Sequence, residues 1–279
     1  MLYLNRNLIL ESNCDIKEAA VALIGVPFDS TSSYRAGSRT APLEIRREFF
    51  ELEKEETFFG LPFCDIGNVE AVPGNARETL RCVEDSVNWA RQENHGVFIL
   101  GLGGEHTITH ALLAGLPKDT FVLSLDAHLD LKDDYLGEKW SHAAVMRRIS
   151  ESGFDVGVIG ARSFTSDEDD YARKHGIVHC GCGRKDIEKL LGNLKGRRVY
   201  LTLDFDAISP HIAAGVSNPE PGGLSLEDVR FIYNRLIQKS TLAGADIVEV
   251  NPLYDTTATT VMAAGIMQDI IVKVAGKKR

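Results

Sequence analysis

The sequence has little that would staple it covalently, anchor it in a membrane or draw it onto nucleic acid. Five cysteines in 279 residues are an odd number with no C-x-x-C pair, which argues against a disulfide scaffold and suits a reducing cytosol. "HCGC" places His179, Cys180 and Cys182 together, but no further cysteine stands at ligand spacing. A strand end followed by a glycine turn is expected there rather than a soft-metal site. Nine prolines and 25 glycines are dispersed, with no low-complexity tract, internal repeat or linker. Positive charge is the minority: 31 Lys and Arg face 40 Asp and Glu, and the net charge of −9 argues against a polyanion such as DNA as partner. The charge fits a cationic small molecule, although acidity alone selects no substrate. The apolar runs read as far short of a bilayer span. "MLYLNRNLIL" alternates apolar and polar residues without the features of a signal peptide. No membrane association and a cytoplasmic location are therefore expected.

What the chain does have is core material. Apolar residues make up 44% of it, enough for one large α/β domain over residues 1–279. Short β-branched runs predict strands at 20–26, 97–102, 121–126, 156–160, 177–180, 198–204 and 245–250. Segments of helical period between them predict helices at 42–52, 76–94, 105–115, 141–152, 167–175, 185–194, 225–239 and 257–275, with Ser225 as an N-cap. Buried strands alternating with helices imply a mainly parallel sheet covered on both faces.

Acids and histidines gather where four of these strands end. "GLGGEH" follows 97–102, "DAHLD" follows 121–125, "DFD" closes 198–203, and Glu249 ends 245–248. The carboxyl edge of an open α/β sheet is where ligands bind, so distant segments can converge there. In extended chain, residues two apart share a face; Asp126, His128 and Asp130 project together, as do Asp204 and Asp206. With His106 they make four carboxylates and two imidazoles. Four anions at close range need counter-charge, and two divalent cations about 3.5–4 Å apart supply it. Oxygen-rich ligation with some imidazole suits Mn²⁺, with Fe²⁺, Co²⁺ and Zn²⁺ left open. "GLGGEH" lacks the third glycine of a dinucleotide fingerprint and the lysine of a P-loop, so nucleotide binding is the weaker reading. His110 reads as a helix-face residue, and His95, His175 and His211 as structural or surface.

"GLGGEHTIT", "SLDAHLD", "SHAAVMRR", "LTLDFDAISP", "PEPGGLS" and "DIVEVNPLYD" resemble, in order and spacing, the motifs of the ureohydrolase family of arginases and agmatinases. "GVPFDSTSSYRAGSRTAPLEIRR" looks like the agmatinase-type N-terminal segment. The resemblance implies a three-layer α/β/α arginase-like fold, a homo-oligomer (trimer or hexamer) and a binuclear Mn²⁺ centre that hydrolyses a guanidino compound to urea and an amine. Carried over by residue, it implies that His106, Asp126, His128, Asp130, Asp204 and Asp206 hold the metals, with Asp126 and Asp204 bridging both. It implies that His142 shuttles a proton and that Glu249 orients the guanidinium. A metal-bridging hydroxide would be the nucleophile, and Asp130 could accept its proton or hydrogen bond.

Three segments depart from the family pattern. Glu105 replaces an Asp, Ser209 stands where a supporting acid is usual, and "AGVSNP" brings Ser217 and Asn218 into a Gly-Thr-rich segment. The expected substrate is agmatine, because Asp133, Asp134 and Glu138 outnumber Lys132 and Lys139 in the loop after Asp130, and an acidic loop disfavours a free carboxylate. The alternatives are an arginase, a guanidinobutyrase, or a non-catalytic relative that binds metal only.

Overall fold

The computed structural model describes residues 3–5, 12 and 14–278. Most of the N-terminal stretch read above as lacking signal-peptide features lies outside the described residues. Nine strands form one sheet: β1 (Leu4–Asn5), β2 (Val21–Val26), β3 (Phe63–Val69), β4 (Phe98–Gly103), β5 (Phe121–Leu125), β6 (Asp155–Ile159), β7 (Val178–Cys180), β8 (Arg198–Asp204) and β9 (Thr241–Val248). Their spatial order is β1-β3-β2-β4-β9-β8-β5-β6-β7. β1 is antiparallel to β3; all other pairings are parallel.

Eight helices cover it: α1 (Ala41–Glu51), α2 (Ala76–Glu93), α3 (Thr109–Leu112), α4 (Val145–Glu151), α5 (Ser166–His175), α6 (Arg184–Gly192), α7 (Leu226–Lys239) and α8 (Ala258–Ala275). Alternate strand residues feed two cores. Leu23, Leu100, Leu123 and Leu201 pack with α1, α6, α7 and α8, while Ala22, Ile99, Val122 and Tyr200 pack with α2, α3, α4 and α5. Two-sided burial is why these strands read as continuous apolar runs, and the result is three layers, α/β/α.

Four expectations are corrected. Strands β1 and β3 went unpredicted. The helix expected over 105–115 is only α3, preceded by a 3-10 turn at His106–Ile108; Gly115 at φ +76° ends the segment. The segment at 141–152 likewise begins with a 3-10 turn at His142–Ala144 and becomes α4. The apolar runs are not all short, since the 18 residues of α8 are long and apolar enough to cross a membrane by length and composition. Here α8 is a core helix, with Ala263, Ala264, Ile266, Met267, Ile270 and Ile271 buried. Ser225 caps α7 as expected, accepting from the Asp228 amide at 3.1 Å in a reciprocal box.

Candidate metal centre

The strands whose ends carry the acids, β4, β9, β8 and β5, are consecutive neighbours at the centre of the sheet. β4 delivers His106 through a glycine turn. A Cβ at Gly104 would lie 2.0 Å from the Phe28 carbonyl oxygen, so only glycine lets the backbone pass. The N–H groups of this turn are all engaged: Gly104 donates to Val26 O, Glu105 to Phe28 O and His106 to Glu249 Oε1. None is left to cradle a phosphate, which disposes of the nucleotide reading of "GLGGEH".

β5 ends at Leu125, and the next six residues leave the strand as a bent loop rather than the expected extended segment, yet their side chains still alternate between core and site. Ala127, Leu129 and Leu131 are buried, the two leucines in the apolar core, while Asp126, His128 and Asp130 meet the other candidate ligands. Asp130 holds a left-handed backbone at φ 52°, and Glu249 at φ 61°. Both are costly for residues with a Cβ, and such strain gathers at functional sites.

All six predicted ligands converge. His106 Nδ1 lies 3.0 Å from Asp130 Oδ2, 3.2 Å from Asp126 Oδ2 and 3.4 Å from Asp204 Oδ2. His128 Nδ1 lies 3.1 Å from Asp206 Oδ2 and 3.6 Å from Asp126 Oδ1. His106, Asp126 and Asp130 thus form one group of metal-ligating geometry, and Asp126, His128 and Asp206 a second. Asp126 belongs to both, one oxygen to each. Asp204 faces the first group through Oδ2, while its Oδ1 accepts from the Asp206 amide at 2.9 Å.

The electrostatics are those of anions short of cations. Burial, then Asp126, pushes Asp130 up to about 7. Burial, with Asp206, Asp126 and Glu249 close by, pushes Asp204 well above the carboxylate range. Burial opposes charge on His128, but Asp206 and Asp126 outweigh it and lift the imidazole to about 12. Asp126 Oδ2 is buried without a hydrogen-bond partner, an orphan acceptor that needs an explanation. A divalent cation fits: oxygen and imidazole donors surround the position and no thiolate does.

Both imidazoles are held at the far nitrogen. His106 Nε2 lies 3.0 Å from Thr202 Oγ1, which donates to Asp246 Oδ1 at 2.6 Å. Asp246 also accepts from Tyr200 at 2.8 Å. With its hydrogen committed to Asp246, Thr202 must accept from Nε2–H, so it is Nδ1, among the carboxylates, that would give up its proton and offer a lone pair to a metal. His128 Nε2 lies 3.5 Å from Glu220 Oε1, and Glu220 accepts from Ser163 at 2.9 Å. Sequence reasoning passed over Thr202, Asp246 and Glu220. The available signal was a polar residue inside an apolar strand, as in "LTLD" and "ADIVEV".

His142 and Glu249 flank the cluster. His142 Nδ1 is 3.2 Å from Thr31 Oγ1. Burial, then His128 and His106, hold its imidazole down to about 4, neutral at physiological pH. Glu249 is buried and pushed up to about 8 by burial and by Glu105, and its Oε2 has no hydrogen-bond partner. Glu105 is fully buried, accepting from the Thr31 amide, Thr31 Oγ1 and Thr107 Oγ1 at 2.8, 2.7 and 2.6 Å.

A cavity of about 370 Å³ opens over His128, Asp130 and His142 and is lined further out by Lys132, Glu168 and Glu220. The loop acids expected to set its charge are not among its lining residues. Asp133 pairs with Arg147 and Arg148 at 3.2 and 3.1 Å, Asp134 accepts from the Gly137 amide, and Glu138 from the Trp140 amide. Glu220 supplies the negative charge instead, since the charge of Glu168 is matched by Lys132 at 3.3 Å.

Comparison with known proteins agrees with this geometry. The family profile described as Arginase family matches residues 19–272. The N(1)-aminopropylagmatine ureohydrolase of Thermococcus kodakarensis is 36% identical over 253 residues, 88% of each chain. The agmatinase of Pyrococcus horikoshii is 32% identical, covering 97% of this chain and 98% of its own. The crystal structure of an agmatine ureohydrolase from Thermoplasma volcanium superposes with a TM-score of 0.85 at 34% identity, over 95% of this chain and 92% of that one. With this fold, these converging ligands and a profile match over most of its length, the chain belongs to the arginase family.

Proposed function

We propose that this protein is a binuclear metallohydrolase that cleaves agmatine to putrescine and urea. One observation carries the reading: the two oxygens of Asp126 face separate donor groups, His106 with Asp130 and His128 with Asp206. In this reading His106, Asp126, His128, Asp130, Asp204 and Asp206 hold two Mn²⁺ ions. When bound, the ions supply charge that balances the carboxylates and water acidified to near neutrality.

The chain's own groups do the rest. Glu249 offers Oε2 to the planar guanidinium, which a carboxylate meets well. Asp130, at the cavity floor, accepts a proton or hydrogen bond from the attacking water. Water oxygen bonds to the guanidinium carbon, the bond from that carbon to the chain-bearing nitrogen breaks, and the departing amine gains a proton. His142, neutral in the resting protein, has Nε2 free to receive the water's proton from Asp130 and pass it to the departing amine. Glu220 favours a distal ammonium over the carboxylate of arginine or 4-guanidinobutyrate, because Lys132, which could have met that carboxylate, is already paired with Glu168.

We take residues 1–279 as a single cytoplasmic domain that assembles as a trimer or hexamer. An odd number of cysteines with no C-x-x-C pair supports the compartment. Exposed Phe50, Phe59 and Leu253 support association.

The test is urea release from agmatine, N1-aminopropylagmatine, arginine and 4-guanidinobutyrate by Mn²⁺-loaded protein. Agmatine should give the highest kcat/KM. Preference for arginine or guanidinobutyrate would overturn the substrate assignment. Metal binding without turnover of any of the four would point to a non-catalytic relative.

A further inference from the structure

A second cavity lies at the opposite edge of the sheet. It has a volume of about 620 Å³ and is lined by Arg91, Arg198, His95, Phe98, Leu116 and Leu242, among others. Phe98, Arg198 and Leu242 stand at the amino ends of β4, β8 and β9, whereas the metal ligands follow the carboxyl ends. At about 3.3 Å per residue, the length of β4 alone sets the two sites roughly 20 Å apart.

Its charge is unlike that of the rest of the molecule. No aspartate or glutamate lines it, in a chain of net charge −9. Arg91, in the last turn of α2, has both Nε and Nη2 buried with no hydrogen-bond partner among the described residues. Burial holds its guanidinium below the usual arginine range. The stem packs closely on Gly115: a Cβ there would lie 3.0 Å from Arg91 Cδ, and Gly115 takes φ +76°. Arg198 sits nearer the surface, donating one N–H to Asp119 at 2.8 Å. Two buried guanidinium nitrogens without an acceptor are costly, and no hydrogen bond among the described residues offsets the cost. A planar fork of donors beside apolar walls matches an oxyanion on a small organic body.

We propose that this cavity binds a small oxyanion, a carboxylate or phosphate whose charged head pairs with Arg91 and whose body lies against Phe98, Leu116 and Leu242. The proposal is independent of the metal centre and of the substrate assigned to it.

Thermal unfolding of the metal-loaded protein tests it, with inorganic phosphate and butyrate titrated separately at ionic strength held constant with sodium chloride. A saturable rise in Tm with one of them is expected and identifies the source, phosphate or carboxylate. Arg91→Leu should abolish the rise, and Arg198→Gln should weaken the apparent affinity several-fold. Arg91→Leu leaves the metal ligands intact, so a rise that survives in it belongs elsewhere and overturns the proposal. Absence of a saturable rise with both anions overturns it as well.

Discussion

Thr31 places three contacts on one oxygen. Its Oγ1 donates to Glu105 at 2.7 Å, accepts from the His142 amide at 3.1 Å and meets His142 Nδ1 at 3.2 Å. Since its hydrogen goes to Glu105, Nδ1 must be the N–H nitrogen of the imidazole, and Nε2 keeps the lone pair that a proton shuttle needs. Thr31→Val removes the acceptor and keeps the volume. It should lower kcat by about tenfold or more while metal content per chain stays at the wild-type value, read by single-substrate kinetics beside elemental analysis. An unchanged kcat would make Thr31 a packing residue only. At this scale the residues that converge on the candidate metal centre were legible and their supports were not. Asp126, His128 and Asp130 announce themselves by spacing, whereas a hydroxyl such as Thr31, 111 residues from His142, carries no local mark. The departure at Glu105 also resolves here: its side chain reaches Thr31 and Thr107 and ties the N-terminal segment to the proton-shuttle candidate.

Strand β3 shows why part of the sheet was hidden. "FCDIGNV" has neither a clean apolar run nor strict alternation, because Asp65 and Asn68 interrupt it. Both are reached by one side chain from α1. Arg46 donates from Nε and Nη2 to the two Asp65 oxygens at 2.7 and 2.8 Å, and from Nη1 to Asn68 at 2.7 Å. The compensation lies outside the strand, so the strand alone looks too polar to be buried. The other internal strands were read to within a few residues, although β9 too hides a buried acid, Asp246, whose partners lie on β8. Arg46→Met should cost about 3–5 kcal/mol, because it leaves a buried carboxylate without its cation. Urea unfolding measures this. The double variant R46M/D65L should regain most of the loss, and equal instability of single and double variants would refute the pairing argument.

Across the molecule, one design feature is the concentration of unbalanced negative charge at the centre of the sheet, and its consequence is a dependence of stability on pH and metal together. In the metal-free protein Asp130 and Glu105 are pushed up to about 7 and Glu249 to about 8, from unfolded values of 3.8 for Asp and 4.5 for Glu. Raised carboxyl groups contribute stability that is complete below the unfolded values and is lost as pH climbs through the folded ones. His128, lifted from 6.5 to about 12, acts in the same direction above pH 6.5, where the unfolded chain releases the proton that the fold retains. His110 and His142, lowered to about 4, act oppositely, but their contribution is lost only as pH falls below 6.5. Between pH 6.5 and 8 the metal-free protein should therefore lose stability steadily. Each proton held by the fold and not by the unfolded chain is worth about 1.4 kcal/mol per pH unit, and each kcal/mol roughly 2–4 °C in Tm for a chain of this size. Metal binding demands that Asp130 and His128, both candidate ligands, give up their protons, so Mn²⁺ should stabilise more as pH rises. The Tm difference between Mn²⁺-loaded and chelator-treated protein should widen by several degrees from pH 6.5 to pH 8. A difference that stays constant or narrows would mean that the protons and the metals do not compete for the same carboxylates.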